Sequence, residues 1–171
     1  MSDANEVLTE CMRRLDQSLG YVETALGRLT EVQLWLRPRP KMNAVGNLCL
    51  HIAGSEHQHL VSAIGGLPTL RDRRGELLQS GGYSKEELLA LLRKVRQESR
   101  SVVLKLTAGD LERIVTVTYP EDSGMEGYSW SIQKILIGAA EHYAYHTGQI
   151  VYASRWLQDE DEHLLAWKHY T

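Results

Sequence analysis

The chain has 171 residues, of which 43% are apolar and 24% charged, the composition of an ordinary globular domain. A net charge of −3 at pH 7 provides neither a basic field for nucleic acid nor a polybasic patch for anionic lipid. The N-terminal residues lack the basic flank and apolar stretch of a signal peptide, and no apolar run is long enough to span a bilayer. We therefore expect a single domain over residues 1–171, a cytoplasmic location, and neither nucleic-acid nor membrane partners.

Apolar periodicity predicts two long helices in the first half of the chain. The first runs from about residue 5 to 29, and prolines at positions 38 and 40 break the chain after it. The second runs from about 43 to 64 and stops at a pair of glycines. Each helix carries one cysteine, Cys11 and Cys49, and these are expected to be buried free thiols because they lie far apart in sequence.

Two further helices are predicted in the second half. One starts at Ser84, where Glu87 completes a capping-box spacing, and continues to about 106. The other starts near Ser129 or Ser131 and ends at about 157, before a short tail at 159–171. Residues 69–76 are polar and loop-like, and 114–118 could form a short extended piece. With no convincing sheet, the fold class is all-α, a four-helix bundle with at least one long crossover.

The fourth helix carries the most informative motif, a pair of histidines four residues apart. His142 and His146 therefore stack on one helical face, about 6 Å apart along the axis. Apolar residues at helical spacing occupy the same face: Ile132, Ile135, Leu136, Ala139, Ile150 and Ala153. Because buried imidazoles need partners, the pattern predicts a divalent metal between them.

The second helix offers a third imidazole. His51 lies close to the apolar stripe of that helix, and Asn47 one turn earlier could orient its ring by a hydrogen bond. Bundles commonly build metal sites from inward side chains on facing helices. Three imidazoles leave at least one coordination position open, as in catalytic sites, and Zn, Ni, Co and Fe all accept such ligands.

Other polar residues are weaker candidates, and no catalytic residue is identified. His59 could be a fourth ligand, whereas His57 is expected to face solvent, as are His163 and His169 in the tail. Glu56 is either a proton acceptor at the mouth of the site or a solvated carboxylate. Arg71 and Arg73 could contact an anionic substrate, although charged turns often only solubilise. A zincin needs glutamate directly after the first histidine, where this chain has Tyr143.

Three segments together resemble the DinB/YfiT-like superfamily of metal-binding four-helix bundles. They are Leu34–Pro38 after the first helix, Gly46–His51 in the second, and His142–Ile150 in the fourth. The resemblance implies that His51, His142 and His146 form a metal-binding triad. It also implies an up-up-down-down bundle with a long crossover and frequent homodimers.

The resemblance leaves three functions open. Some members of the superfamily are S-transferases that use low-molecular-weight thiols such as mycothiol or bacillithiol. Others are described as metal-dependent hydrolases, and many have no demonstrated activity. We therefore expect a small-molecule substrate, and the first hypothesis is that the protein is a thiol transferase. A metal-dependent hydrolase and a non-catalytic metal-binding stress-response protein are the alternatives.

Overall fold

The structure, a computed structural model, describes residues 3–69, 71–120 and 123–159. Its main helices are α1 (Asp3–Gly27), α3 (Val45–Glu56), α5 (Lys85–Val103) and α6 (Ile132–Leu157), and they form the predicted bundle. Two short helices, α2 (Glu31–Trp35) and α4 (Arg73–Leu78), lie in the connections. The expected tail at 159–171 lies outside the described residues, apart from its first residue.

Named contacts fix the helix directions. Helices α1 and α5 are antiparallel, because Glu23 pairs with Arg93 while Asp16, earlier in α1, pairs with Arg100. Glu56 pairs with Arg96, and Gly65 beyond it lies against Val102, so α3 and α5 run parallel. His51 contacts His142 of α6, and His59, later in the chain, contacts Tyr128 just before α6, so α6 is antiparallel to α3. The order along the chain is therefore up, down, down, up, rather than the up-up-down-down order that the resemblance implies. The long crossover joins α3 to α5.

The predicted helix boundaries agree with the structure to within a few residues. The second predicted helix continues past α3 as a π-helical segment, His57–Ile64, and ends as expected at the glycine pair, where Gly66 has φ of 73°. The capping box of α5 is confirmed, because Ser84 Oγ accepts a hydrogen bond from Glu87 N and the Glu87 carboxylate accepts one from Ser84 N.

In the connections, one sequence expectation is wrong and another is confirmed. The polar stretch at 69–76 was expected to be a loop, but α4 begins inside it, where the Asp72 carboxylate accepts a hydrogen bond from Gly75 N. The extended piece at 114–118 is a strand, β1 (Ile114–Val117), and it pairs with β2 (Tyr128–Ser131) as an antiparallel hairpin. The hairpin leads directly into α6.

The core is formed by apolar residues of the four long helices. The largest fully buried aliphatic side chains come from all four of them and include Leu15, Leu26, Ile52, Leu92, Ile135 and Ile150. Cys11 and Cys49 are buried free thiols, as predicted, and burial raises the pKa of Cys49 to about 12. None of the described helices is both long enough and apolar enough to cross a membrane.

Candidate metal centre

Helices α3 and α6 bring the three predicted histidines together. His51 on α3 is buried, while His142 and His146 lie one turn apart on α6 and are half-buried. His51 Nε2 and His142 Nε2 are 3.2 Å apart, and the candidate ligand atoms of the three rings lie within 4.8 Å of one another. The three ring centroids are 4.6 to 5.0 Å apart. This cluster can hold a metal ion.

The spacing of the ring nitrogens fits a small divalent ion. With bonds of about 2.0–2.1 Å, two imidazole nitrogens on a tetrahedral zinc ion lie roughly 3.3 Å apart. The distance between the Nε2 atoms of His51 and His142 is 3.2 Å. An ion would accept electron pairs from both nitrogens, whereas a hydrogen bond between them requires one ring to carry its proton on Nε2. Nitrogen-only donors suit zinc, nickel, cobalt and iron(II) alike.

A buried ion pair supports the far side of the His51 ring. Glu76 Oε2 lies 3.2 Å from His51 Nδ1, and Arg71 binds the same carboxylate through both of its oxygens, at 2.8 and 2.9 Å. An Arg71 guanidinium nitrogen also lies 3.1 Å from Nδ1, so two partners compete for that atom. A ring that binds metal through Nε2 carries its proton on Nδ1, and only Glu76 can accept that proton in a hydrogen bond.

Burial keeps the α6 imidazoles in the neutral form. Desolvation lowers the pKa of His142 to about 3, and the nearby His146 and His51 rings add to the effect. Desolvation also lowers the pKa of His146, although a 2.8 Å hydrogen bond to Gln149 opposes that shift. Metal ions bind neutral imidazole, so both rings are in the binding form at neutral pH.

Asn47 supports the site through α4 and not through the His51 ring. Its two amide hydrogens are donated to the carbonyl oxygens of Glu76 and Gln79, at 2.9 and 2.7 Å, and its amide oxygen accepts from Ala44 N. The sequence-based prediction that Asn47 hydrogen-bonds directly to His51 is therefore wrong. Asn47 fixes the backbone of the helix that carries Glu76, and Glu76 contacts the ring.

Glu56 lies elsewhere and has neither of its two predicted roles. It is 3% exposed and forms an ion pair with Arg96 at 2.7 Å, and it also accepts a hydrogen bond from Ser99 on α5. Burial raises the pKa of this carboxyl, while Arg96 and Ser99 oppose the shift. Sequence spacing placed Glu56 near the end of the second helix. It could not show that the side of the helix carrying Glu56 packs against α5.

A cavity of about 250 Å³ opens beside the histidines. Its lining includes His51, His142 and Ser55 together with the aromatic side chains of Tyr119, Tyr128 and Trp130. The two arginine candidates both line the cavity but differ in their contacts. The side chain of Arg71 is 3% exposed and is bound to Glu76. Arg73 is half-buried and forms no ion pair with any described residue.

His59 is not grouped with the other three histidines as a ligand, but it lines their cavity. Its Nδ1–H donates to Ser55 O at 2.7 Å, which leaves Nε2 to accept a hydrogen bond from the Tyr128 hydroxyl at 2.8 Å. Burial lowers the pKa of His59, so the ring is neutral. His57, expected to face solvent, is half-buried and lines a different cavity. His163 and His169 lie outside the described residues.

Sequence reasoning missed two residues of the site, Glu76 and Tyr128. Glu76 lies at the end of the arginine-rich segment that was predicted to be a loop. The N-cap formed by Asp72 and Gly75 could have indicated a helix there. Tyr128 precedes the fourth helix in a segment with no strong pattern. Its place in the cavity depends on the hairpin, in which it is paired with Val117.

Comparisons with known proteins agree with this architecture. A search of curated protein sequences found no significant match. A conserved protein from Enterococcus faecalis, known from a crystal structure, has a similar fold with a TM-score of 0.64. The likeness covers 87% of this chain and 95% of that one at 18% sequence identity. The family model of the DinB superfamily matches residues 14–150, which is most of the chain. The chain therefore belongs to the DinB superfamily.

Proposed function

We propose that this protein is a divalent-metal-dependent enzyme, and that it transfers a low-molecular-weight thiol to an electrophile. The observation that carries the proposal is the cavity that opens beside the cluster and is lined by His51 and His142. Among the described residues no fourth histidine, cysteine or carboxylate joins the ligand group. A site with three protein ligands and an adjoining cavity has the arrangement of a catalytic metal centre, since structural sites are closed by four.

His51, His142 and His146 would hold the ion, which supplies positive charge that lowers the pKa of a thiol placed beside it. The thiol loses its proton to bulk water. Its sulfur then forms a bond to the electrophilic carbon, and the leaving group departs with the bonding electron pair. The protein's part is to orient the ligands and to bind the reactants in the cavity beside the ion. Glu76, which is itself bound by Arg71, orients His51, and aromatic side chains line the cavity.

A metal-dependent hydrolase is the second candidate, and the hydrogen-bonded pair of Tyr128 and His59 favours it. The hydroxyl and the neutral imidazole lie in the wall of the cavity, where they could receive a proton from an attacking water. The zincin arrangement, with its adjacent glutamate, remains missing from the motif. The third alternative, a non-catalytic metal-binding protein, is less well supported because such a site would not need a cavity.

The test uses protein purified without a metal-affinity tag and then loaded with zinc, cobalt, nickel or iron(II). Each form is assayed with a haloalkyl fluorophore and a panel of cellular thiols, and separately with ester and amide substrates. We expect thiol conjugation that is lost in His142→Ala and kept in His57→Ala. Hydrolysis without conjugation would favour the second candidate. No turnover in either panel from protein that binds metal would contradict an enzymatic role.

We also propose that the protein forms a homodimer through the outer face of α6. Three aromatic residues share this face and are largely exposed: Tyr145 at 63%, Tyr152 at 79% and Trp156 at 64%. Monomeric proteins rarely expose contiguous apolar patches of this kind. Sedimentation analysis should give a dimer that Tyr152→Ser with Trp156→Ser converts to a monomer. A wild-type monomer at micromolar concentrations would contradict this proposal.

A further inference from the structure

We infer that the cavity beside the histidines binds a small organic carboxylate, with the carboxylate at Arg73 and a flat apolar group against Tyr128 and Trp130. The inference names the substrate class of the proposed enzyme and rests on that function for its biological meaning. The binding itself is a property of residues outside the metal ligands. It can therefore be tested whether or not the protein holds a metal.

The charge of the cavity lining favours an anion. None of its lining residues within the described ranges, which leave out Glu121 and Asp122, is a carboxylate. The Arg71 guanidinium is neutralised by Glu76 at 2.8 Å, but Arg73 has no such partner among the described residues. A half-buried guanidinium that has no counter-ion in the described part of the chain favours an anion, and its planar fork matches the two oxygens of a carboxylate.

Aromatic side chains form another part of the cavity lining. The Tyr128 and Trp130 rings are 4.2 Å apart between centroids, and Tyr119 follows at 6.4 Å from Tyr128. Aromatic faces of this kind bind flat apolar groups. Lys134 lies over the Trp130 ring, with its Nζ 3.8 Å from the ring centroid. It adds a second positive charge near these aromatic side chains.

The size of the cavity limits the ligand to a small compound. A volume of about 250 Å³ is below the range of roughly 300–1,000 Å³ that is usual for drug-sized ligands. The cavity therefore suits a single-ring compound or a group of that size. A larger cavity of about 470 Å³ lies on the other side of the Arg71–Glu76 pair. Its wall contains the carboxylates of Asp72, Glu76 and Glu98 beside Lys94, so it offers no comparable preference for anions.

The experiment compares benzoate with its neutral isostere benzamide. Each is titrated into ¹⁵N-labelled metal-free protein, and again into zinc-loaded protein, while amide and indole chemical shifts are recorded. We expect benzoate to bind about tenfold more tightly than benzamide, because a charge-assisted pair adds at least that factor. The largest shifts should fall on the Trp130 indole and on the amides of residues 138–142.

Two arginine variants locate the charge that is responsible. Arg73→Gln should abolish the preference for benzoate, whereas Arg74→Gln, at the exposed neighbouring position, should keep it. A preference that survives in Arg73→Gln, or equal binding of both compounds to the wild type, would overturn the inference. So would benzoate binding that appears only with zinc, because the ion would then be the anion site. Failure of the protein to bind zinc would overturn the proposed function while leaving the Arg73 result intact.

Discussion

The His51 ring is held on one side by the other two histidines and on the other by Glu76. The sequence alone predicted that His142 and His146 lie on one face of a helix, because the helix fixes their spacing. Glu76 could not, because it lies 25 residues from His51 in a segment that reads as a loop. Its contact with the ring depends on the packing of α4 against α3, which sequence periodicity does not report.

Removing the Glu76 charge should weaken metal binding without removing a ligand. In Glu76→Gln the amide no longer accepts the Nδ1 proton of His51 as strongly, and losses of about 10- to 100-fold in metal affinity are typical for such outer partners. Competition with a chromophoric chelator measures the Kd for zinc. Glu112→Gln, at an exposed site, is the matched control. Equal affinity of the two variants would show that Glu76 does not orient the ligand.

The low pKa of His142 predicts acid sensitivity of the metal-free protein. Its pKa is about 3 in the folded state and 6.5 in the reference state, so below pH 6.5 the unfolded chain binds a proton that the folded chain does not. Stability should therefore fall as the pH decreases from 6.5 towards 3. Urea unfolding in the presence of a chelator measures the slope. His142→Gln should flatten it, and an unchanged slope in that variant would contradict the assignment.

At the scale of the elements, the Glu76 side chain of α4 lies in the space that a glycine leaves on α3. A Cβ on Gly54 would overlap the Glu76 carboxylate and lie 3.2 Å from Arg71 Nε. Asn47 on the same helix binds the α4 backbone. The long helices could be predicted from apolar periodicity. This docking could not, because it depends on one missing side chain and on two amide hydrogen bonds.

Gly54→Ala should therefore act on the metal site from a distance. The methyl group displaces the Glu76 carboxylate, so the affinity for zinc should fall by about tenfold, as for an outer-partner mutation. Gly20→Ala is the control, since nothing lies within 4 Å of its Cβ position in α1. If Glu76→Gln is already present, Gly54→Ala should cost much less affinity. Fully additive losses would show that Gly54 does not act through Glu76.

At the scale of the whole molecule, a buried ion pair ties three helices together. Arg96 on α5 contacts Glu56 on α3 at 2.7 Å and Asp16 on α1 at 3.3 Å. The number of helices and the bundle class could be predicted from the sequence. The helix directions could not, because they follow from long-range pairs such as this one. The extended piece at 114–118 was predicted, but its pairing with β2 was missed, since strands of four residues carry little periodicity.

Breaking the buried pair should destabilise the fold much more than breaking an exposed one. Glu56→Ala leaves the Arg96 charge buried without its main partner, and such changes typically cost about 3–5 kcal/mol. Glu23→Ala removes the surface pair with Arg93, whose side chain is 61% exposed, and should cost about 1 kcal/mol or less. Urea unfolding gives both values. Similar losses in the two variants would contradict the account of the bundle core.

The central claim is that three imidazoles from two helices bind one divalent ion, and metal content tests it directly. Protein purified without an affinity tag is loaded with zinc, desalted and measured by elemental analysis together with His51→Ala, His142→Ala and His146→Ala. We predict one ion per chain in the wild type and a large loss in each variant. Full metal content in any of the three variants, or none in the wild type, would contradict the claim.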